Sequence, residues 1–280
     1  MSTFEIRKGI DAALKPSGKR LLGIEFLGIG GAFDTEEGTA SALLTTRGGK
    51  NLLIDCGYSA YSKLRKKNMV SEVDIVFITH THEDHINGLS TLIYERFFIH
   101  NKTTRIECSS EVADRVKSYL DICGHPEEQY SINTGHVFIE DEEISITKVD
   151  TGANHWPVKS FPNSGLLFHF QTDNGYAVVI YSGDINRPIT DLMPVEDYSF
   201  VYDNPDNVFI FHDMTDLVHD QNPHCNFELL EPVKAKFKNL LTYHHSELQV
   251  AKISELMPHI AYTSMILQET NFVIEESYGV

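Results

Sequence analysis

Residues 77–89 read FITHTHEDHINGL, and this stretch decides how the rest of the chain is understood. Four histidine or aspartate side chains, all of metal-ligating type, His80, His82, Asp84 and His85, fall between positions 80 and 85. An apolar run of strand length, DIVFIT at 74–79, delivers them, and a helical pattern at 86–99 follows. The junction of a rigid strand with a loop is where chemistry-bearing groups are held in place. Imidazole and carboxylate donors together suit Zn2+, Mn2+ or iron rather than Ca2+, and the mixture does not choose among the three.

On either side of this stretch the chain alternates short apolar runs with helical patterns. Runs at 24–29, 42–46 and 51–55 precede it as strands. Helical patterns cover 59–68 and 110–122, and 136–140 with 144–149 read as two further strands. The segments GLLFHFQ and YAVVIYS, separated by TDNG, form a hairpin by turn chemistry. Strands at 208–212 and 239–243 then alternate with helices at 226–238 and 246–256. This order predicts an α/β architecture of two mixed sheets packed face to face with helices outside. Residues 1–20 read as a polar leader segment and 21–280 as a single domain.

With 41% hydrophobic residues among 280, the chain can bury a full core. The formal net charge of −17 opposes binding to DNA or tRNA, and no basic patch offsets it. Neither a signal peptide nor an apolar run near the ~20 residues of a membrane helix is visible. Cys56, Cys108, Cys123 and Cys225 lack CxxC spacing and read as reduced, in a cytoplasmic protein.

The His-x-His-x-Asp-His pattern resembles that of the metallo-β-lactamase superfamily, whose fold is an αβ/βα sandwich around a dinuclear metal site. The resemblance spans residues 24–250. It implies three further ligands downstream: His155 in NHWP, Asp184 in YSGD and His244 in LLTYHHS, with His245 as the rival of His244. On this reading His80, His82 and His155 hold one ion, Asp84, His85 and His244 the second, and Asp184 bridges them. Asp55 in LLIDCG steadies the metal-bearing loop. Two divalent ions are expected, Zn2+ in the first instance and Mn2+ as the alternative. The glycine turn LGIGGAFD at 27–34 is expected beside the site, and His169 on the hairpin is read as an ordinary strand side chain.

Two more motifs narrow the branch. His212-Asp213-Met214-Thr215 and His224-Cys225-Asn226 resemble the His-Glu-Ala-Thr and His-Ser-Thr motifs of RNase Z-like phosphodiesterases, with Asp213 in place of Glu. The resemblance makes His224 the proton donor to the leaving oxygen and Asp213 its partner, with His212 and Asp84 also in the catalytic set. Asn163, Ser164 and Asn87 are candidates for contact with substrate. Only 28 residues separate His155 from Asp184, and the hairpin fills most of them. That leaves no room for the arm with which RNase Z grips tRNA.

Similarity is greatest to the anti-Pycsar proteins, which degrade cyclic-nucleotide signals of antiphage immunity. The resemblance therefore implies hydrolysis of 3′,5′-cyclic mononucleotides (cCMP, cUMP, cAMP, cGMP) to linear monophosphates. It also implies a homodimer in the cytoplasm, that of the host if the chain is phage-encoded, with no long nucleic acid and no membrane as partner. An RNase Z-like RNA 3′-end endonuclease, or a hydrolase of another cyclic phosphate, is the alternative. A redox role of flavodiiron type is disfavoured, since that group carries Glu where this chain has His82. A carbon-ester hydrolase would leave the 212–215 and 224–226 motifs without a task.

Overall fold

The computed structural model describes residues 22–140, 143–151, 161–172, 175–215, 224–244, 263–267 and 272–276. The first sheet is built from β1 (Leu22–Gly28), β2 (Ser41–Thr46), β3 (Asn51–Ile54), β4 (Val73–Phe77), β5 (Thr104–Glu107) and β6 (Tyr130–Asn133). A C-terminal pair, β13 (Thr263–Leu267) and β14 (Phe272–Glu276), extends it past β1, giving the order β14-β13-β1-β2-β3-β4-β5-β6. The second sheet has β7 (Val137–Ile139), β8 (Ile144–Asp150), β9 (Ser164–Thr172), β10 (Gly175–Tyr181), β11 (Val208–Asp213) and β12 (Asn239–Tyr243), in the order β12-β11-β10-β9-β8-β7. Both sheets are mixed, as expected.

Alternation along the strands explains the layering. In β3, Leu52 and Ile54 face the other sheet while Leu53 faces outward. In β11, Phe209 and Phe211 face inward and Val208 and Ile210 outward. Strands covered on both faces read as continuous apolar runs rather than as alternating ones. The inner layer includes Phe26, Phe77, Phe168, Phe211 and Tyr243. Outside the first sheet pack α1 (Tyr58–Lys66), α2 (Glu83–Ile86), α3 (Leu89–His100) and α4 (Ser110–Ile122), contributing Leu64, Leu92, Val112 and Val116. Outside the second sheet, α5 (Ser199–Asp203) and α6 (Phe227–Lys236) supply Val201, Leu230 and Val233.

The helix expected at 86–99 is two helices. Between α2 and α3 the Gly88 N–H bonds to the Cys56 carbonyl at 2.8 Å instead of continuing the helical ladder. This break turns Asp84 and His85 inward, where both are buried. A side chain at Gly57 would collide with the Asp84 carbonyl and the Thr39 hydroxyl, so the turn after β3 lies directly against the metal-motif segment. The strands β5, β6, β13 and β14 and the helix α5 were not expected; the helical pattern at 246–256 lies outside the described residues.

The two sheets are also tied beneath the site by charge. Glu107, at the end of β5, is buried and accepts from Lys148 of β8 at 2.8 Å and from Arg105 Nε at 2.8 Å. Its backbone carbonyl receives the Ile78 N–H, fixing the strand that carries the histidine motif. Lys148→Met leaves Oε2 of this buried carboxylate without its cation while Arg105 still holds Oε1, and should cost about 3 kcal/mol of stability in urea unfolding. Adding Glu107→Leu should recover part of that loss.

Candidate metal centre

In each sheet the strands bearing the site run parallel: β3 beside β4, and β10 beside β11 beside β12. Their carboxyl ends meet at one edge of the sandwich, the usual place for a site in sheets of this kind. Asp55 follows β3 and residues 80–85 follow β4. Asp184 follows β10, Asp213 ends β11 and His244 follows β12.

Asp184 Oδ2 lies at the centre of this edge. Three imidazole nitrogens surround it: His85 Nε2 at 3.4 Å, His80 Nε2 at 3.5 Å and His244 Nε2 at 3.5 Å. Asp84 Oδ2 stands 3.3 Å from both His85 Nε2 and His244 Nε2. The ligand-type atoms thus converge in three overlapping sets among the described residues: His80 with His82 and Asp184, Asp84 with His85 and His244, and Asp184 with His224 and His244. His155 and His245 lie outside the described residues. His85 Nε2 is buried and makes no hydrogen bond, although two carboxylate oxygens face it. A buried lone pair aimed between carboxylates fits a divalent cation, and the imidazole–carboxylate donors are those of Zn2+, Mn2+ or iron. The clusters are consistent with a dinuclear metal site.

The electrostatics reflect how closely acids and imidazoles are packed here. Burial pushes the Asp184 carboxyl up, but His244, His85 and His80 outweigh it and hold it well below the usual range. Asp84 is likewise lowered, burial being overcome by His85 and His244. Burial works against charge on His85, yet Asp184, Asp84 and Asp55 raise it well above an ordinary histidine. His82, more exposed, is lowered by burial, with partial compensation from Asp184 and Asp84.

Backbone strain and packing hold the ligands. Asp55 (φ 57°) and His244 (φ 69°) both occupy the left-handed region that costs a side-chain-bearing residue energy. The His244 N–H is anchored on the Ile29 carbonyl at 2.6 Å, and Gly31 of the glycine turn lies against its ring, as expected of that turn. The Asp184 turn rests on Gly183 (φ 64°), where a Cβ would stand 2.8 Å from the Ser164 carbonyl. Phe161 packs on His82 with ring centroids 4.4 Å apart, and the Arg115 guanidinium covers Phe161 at 4.2 Å. Neither a lone aromatic in a turn nor one helix arginine carries a signal that sequence reading could have used.

The second pair of motifs also meets here. Thr215 and Asn226 form a parallel bridge, and the Thr215 N–H bonds to the Cys225 carbonyl at 2.8 Å. This sets His224 Nδ1 2.8 Å from the buried Asp213 Oδ2 and 3.9 Å from Asp184 Oδ2. His224 remains 21% exposed at its side chain, whereas Asp213 is wholly buried.

Three expectations are corrected. His212 has both ring nitrogens engaged by backbone: Nδ1 donates to the Asp213 carbonyl at 2.7 Å and Nε2 accepts the Ile189 N–H at 3.0 Å. It braces the end of β11 and has no nitrogen left for proton transfer. Asn163 and Ser164, expected to contact substrate, are both buried. Asn163 donates its amide to the Asp184 carbonyl, and its Oδ1 accepts the Ser164 N–H at 2.8 Å, so together they hold the turn bearing Asp184. Asn87 accepts the Tyr58 N–H at 2.6 Å and so caps α1. His169 packs against Phe200 on the outer face of β9, an ordinary strand position.

The profile of the anti-Pycsar protein Apyc1 family matches residues 22–262, the stretch that contains every group described above. The chain belongs to that family. Apyc1 of Bacillus phage BSP38 is 42% identical over 78 residues, 27% of this chain and 30% of the phage protein. Ribonuclease Z of Methanopyrus kandleri is 28% identical over 140 residues, 47% of this chain and 50% of that protein. The chain thus spans half or less of the length of these curated relatives. The metallo-β-lactamase fold protein YhfI from Bacillus subtilis superposes with a TM-score of 0.64 at 18% identity, covering 91% of this chain and 99% of that one. It shares the fold with this Apyc1-family chain. Among the described residues no helix is long and apolar enough to cross a membrane.

Proposed function

We propose that the protein is a metal-dependent phosphodiesterase that opens 3′,5′-cyclic mononucleotides to linear monophosphates and so suppresses Pycsar signalling. The observation that carries this reading is the Asp213–His224 pair, 2.8 Å apart and on the rim of the His/Asp cluster. An ester hydrolase with a good leaving group has no need of such a pair, but an alkoxide leaving from ribose must be protonated.

In this reading His80, His82 and His155 hold one ion, Asp84, His85 and His244 the other, and Asp184 both. Two divalent ions held there, Zn2+ before Mn2+, would supply Lewis-acid stabilisation of phosphoryl charge. The chain's own residues do the rest. Asp213 accepts the Nδ1 proton of His224 and fixes its tautomer and angle. Nε2 then delivers a proton to the departing ribose oxygen as the P–O bond breaks. Water is consumed across that bond, its hydroxyl going to phosphorus. The Arg115 guanidinium, stacked on Phe161 beside His82, adds a positive charge near the rim of an otherwise acidic chain.

An RNA-end endonuclease is disfavoured by the short connection between β9 and β10, from Thr172 to Gly175, where no arm is inserted. The proposal extends to a homodimer of one domain, residues 21–280, acting in the cytoplasm. The deciding experiment incubates Zn2+-loaded protein with cCMP, cUMP, cAMP and cGMP and separates products by chromatography, with Asp84→Ala as blank. Linear monophosphates formed only by the intact protein are expected. Processing of a short RNA 3′ end with all four cyclic nucleotides untouched would overturn the proposal.

A further inference from the structure

One carboxylate serves both halves of the cluster. Asp55 Oδ2 accepts from His85 Nδ1 at 2.8 Å and from the Thr79 hydroxyl at 2.8 Å, while Oδ1 takes the Thr79 backbone N–H at 2.8 Å. A hydroxyl has one proton. Having given it to Asp55, Thr79 Oγ1 can only accept from its other neighbour, His80 Nδ1, 3.0 Å away. His80 is therefore protonated at Nδ1, and its Nε2 lone pair faces His82 Nδ1 at 3.1 Å and Asp184 Oδ2 at 3.5 Å. The same acid leaves His85 with its proton on Nδ1 and its Nε2 turned toward Asp84 and Asp184. Asp55, Thr79, His80 and His85 have no exposed surface, so solvent cannot replace the threonine hydroxyl.

We propose that Thr79 is a positioning residue that extends the Asp55 carboxylate to His80, so that a single buried acid fixes the tautomer of one histidine in each half of the cluster. The inference rests on the reading of these histidines as metal ligands. It gives a task to a strand-end threonine whose side chain touches neither ion nor substrate. Without the hydroxyl, His80 loses its Nδ1 acceptor and nothing favours the tautomer that presents Nε2. The Asp55–His85 bond is untouched by that loss, so the effect falls on one half of the cluster.

The test compares Thr79→Val, which keeps the shape, with Thr79→Ser, which keeps the hydroxyl. Zn2+ is titrated into each full-length protein against a fluorescent chelator, with no substrate present. Thr79→Val should weaken one of two sites by ~10- to 100-fold and leave the other within ~3-fold, the range seen for partners of metal-bound histidines. Thr79→Ser should restore both. A purely structural hydroxyl would instead lower the melting temperature of metal-free Thr79→Val with both affinities unchanged, which overturns the inference. Should Thr79→Val not fold, imidazole-nitrogen NMR of the Zn2+-loaded wild type decides: protons on Nδ1 of both His80 and His85 support the relay, and a proton on His80 Nε2 overturns it. If the wild type binds no Zn2+, the reading of the site fails and takes this inference with it.

Discussion

Asp184→Asn should leave a folded protein that retains at most one ion per chain and shows almost no turnover. Asparagine keeps the shape of the side chain but replaces a charge with a neutral amide. In the native site Oδ2 stands within 3.5 Å of three imidazole nitrogens, two from the segment after β4 and one from the turn after β12. An amide nitrogen at that point would turn a donor toward lone pairs meant for cations. Because Asp184 is proposed to hold both ions, the loss should exceed the ~10- to 100-fold associated with removing a mere supporting hydrogen bond. Metal analysis after gel filtration, beside circular dichroism to verify the fold, checks this. Two ions retained at full occupancy would exclude Asp184 as the bridge.

The second large effect is expected at His224. Removing a general acid typically costs ~10²- to 10⁴-fold, so His224→Ala should lower kcat on a cyclic nucleotide by that order while metal content stays at the wild-type level. The diagnostic comparison uses bis(4-nitrophenyl) phosphate, whose leaving group departs without a proton. With that substrate the variant should approach wild-type rates, and Asp213→Asn should show the same pattern more weakly. His224 also lies within reach of Asp184 and His244 as a potential ligand. A variant that lost an ion, and was equally slow with both substrates, would assign it to the metal instead.

Much of the architecture is legible in sequence because strands buried on both faces spell themselves as apolar runs, as in NLLI and VFIFHD. The short strands TRIE and YSIN escape because three of four residues in the first and two of four in the second are polar, and four positions are too few for a period of two to stand out. The site is legible through side chains whose chemistry is rare elsewhere, the clustered histidines and aspartates. What sequence does not reveal is whether a polar residue faces the cavity or the backbone beneath it. His212 and Asn163 stand in the right segments, yet their side chains bond main-chain groups. That distinction depends on the tertiary course of turns such as 182–184, where Gly183 permits a path no local pattern predicts.

His244 reaches Asp84 across 160 positions of chain, and the two sheets must already be docked for that contact to exist. Closing so long a loop comes late, after local pairings have formed and nearby hydrophobic surfaces have met. The cluster therefore cannot act as a seed for folding in the manner of small zinc modules, whose ligands lie within a few tens of residues. On the proposed reading, the full ligand set exists only once both sheets are docked, so the second ion would enter an already assembled chain.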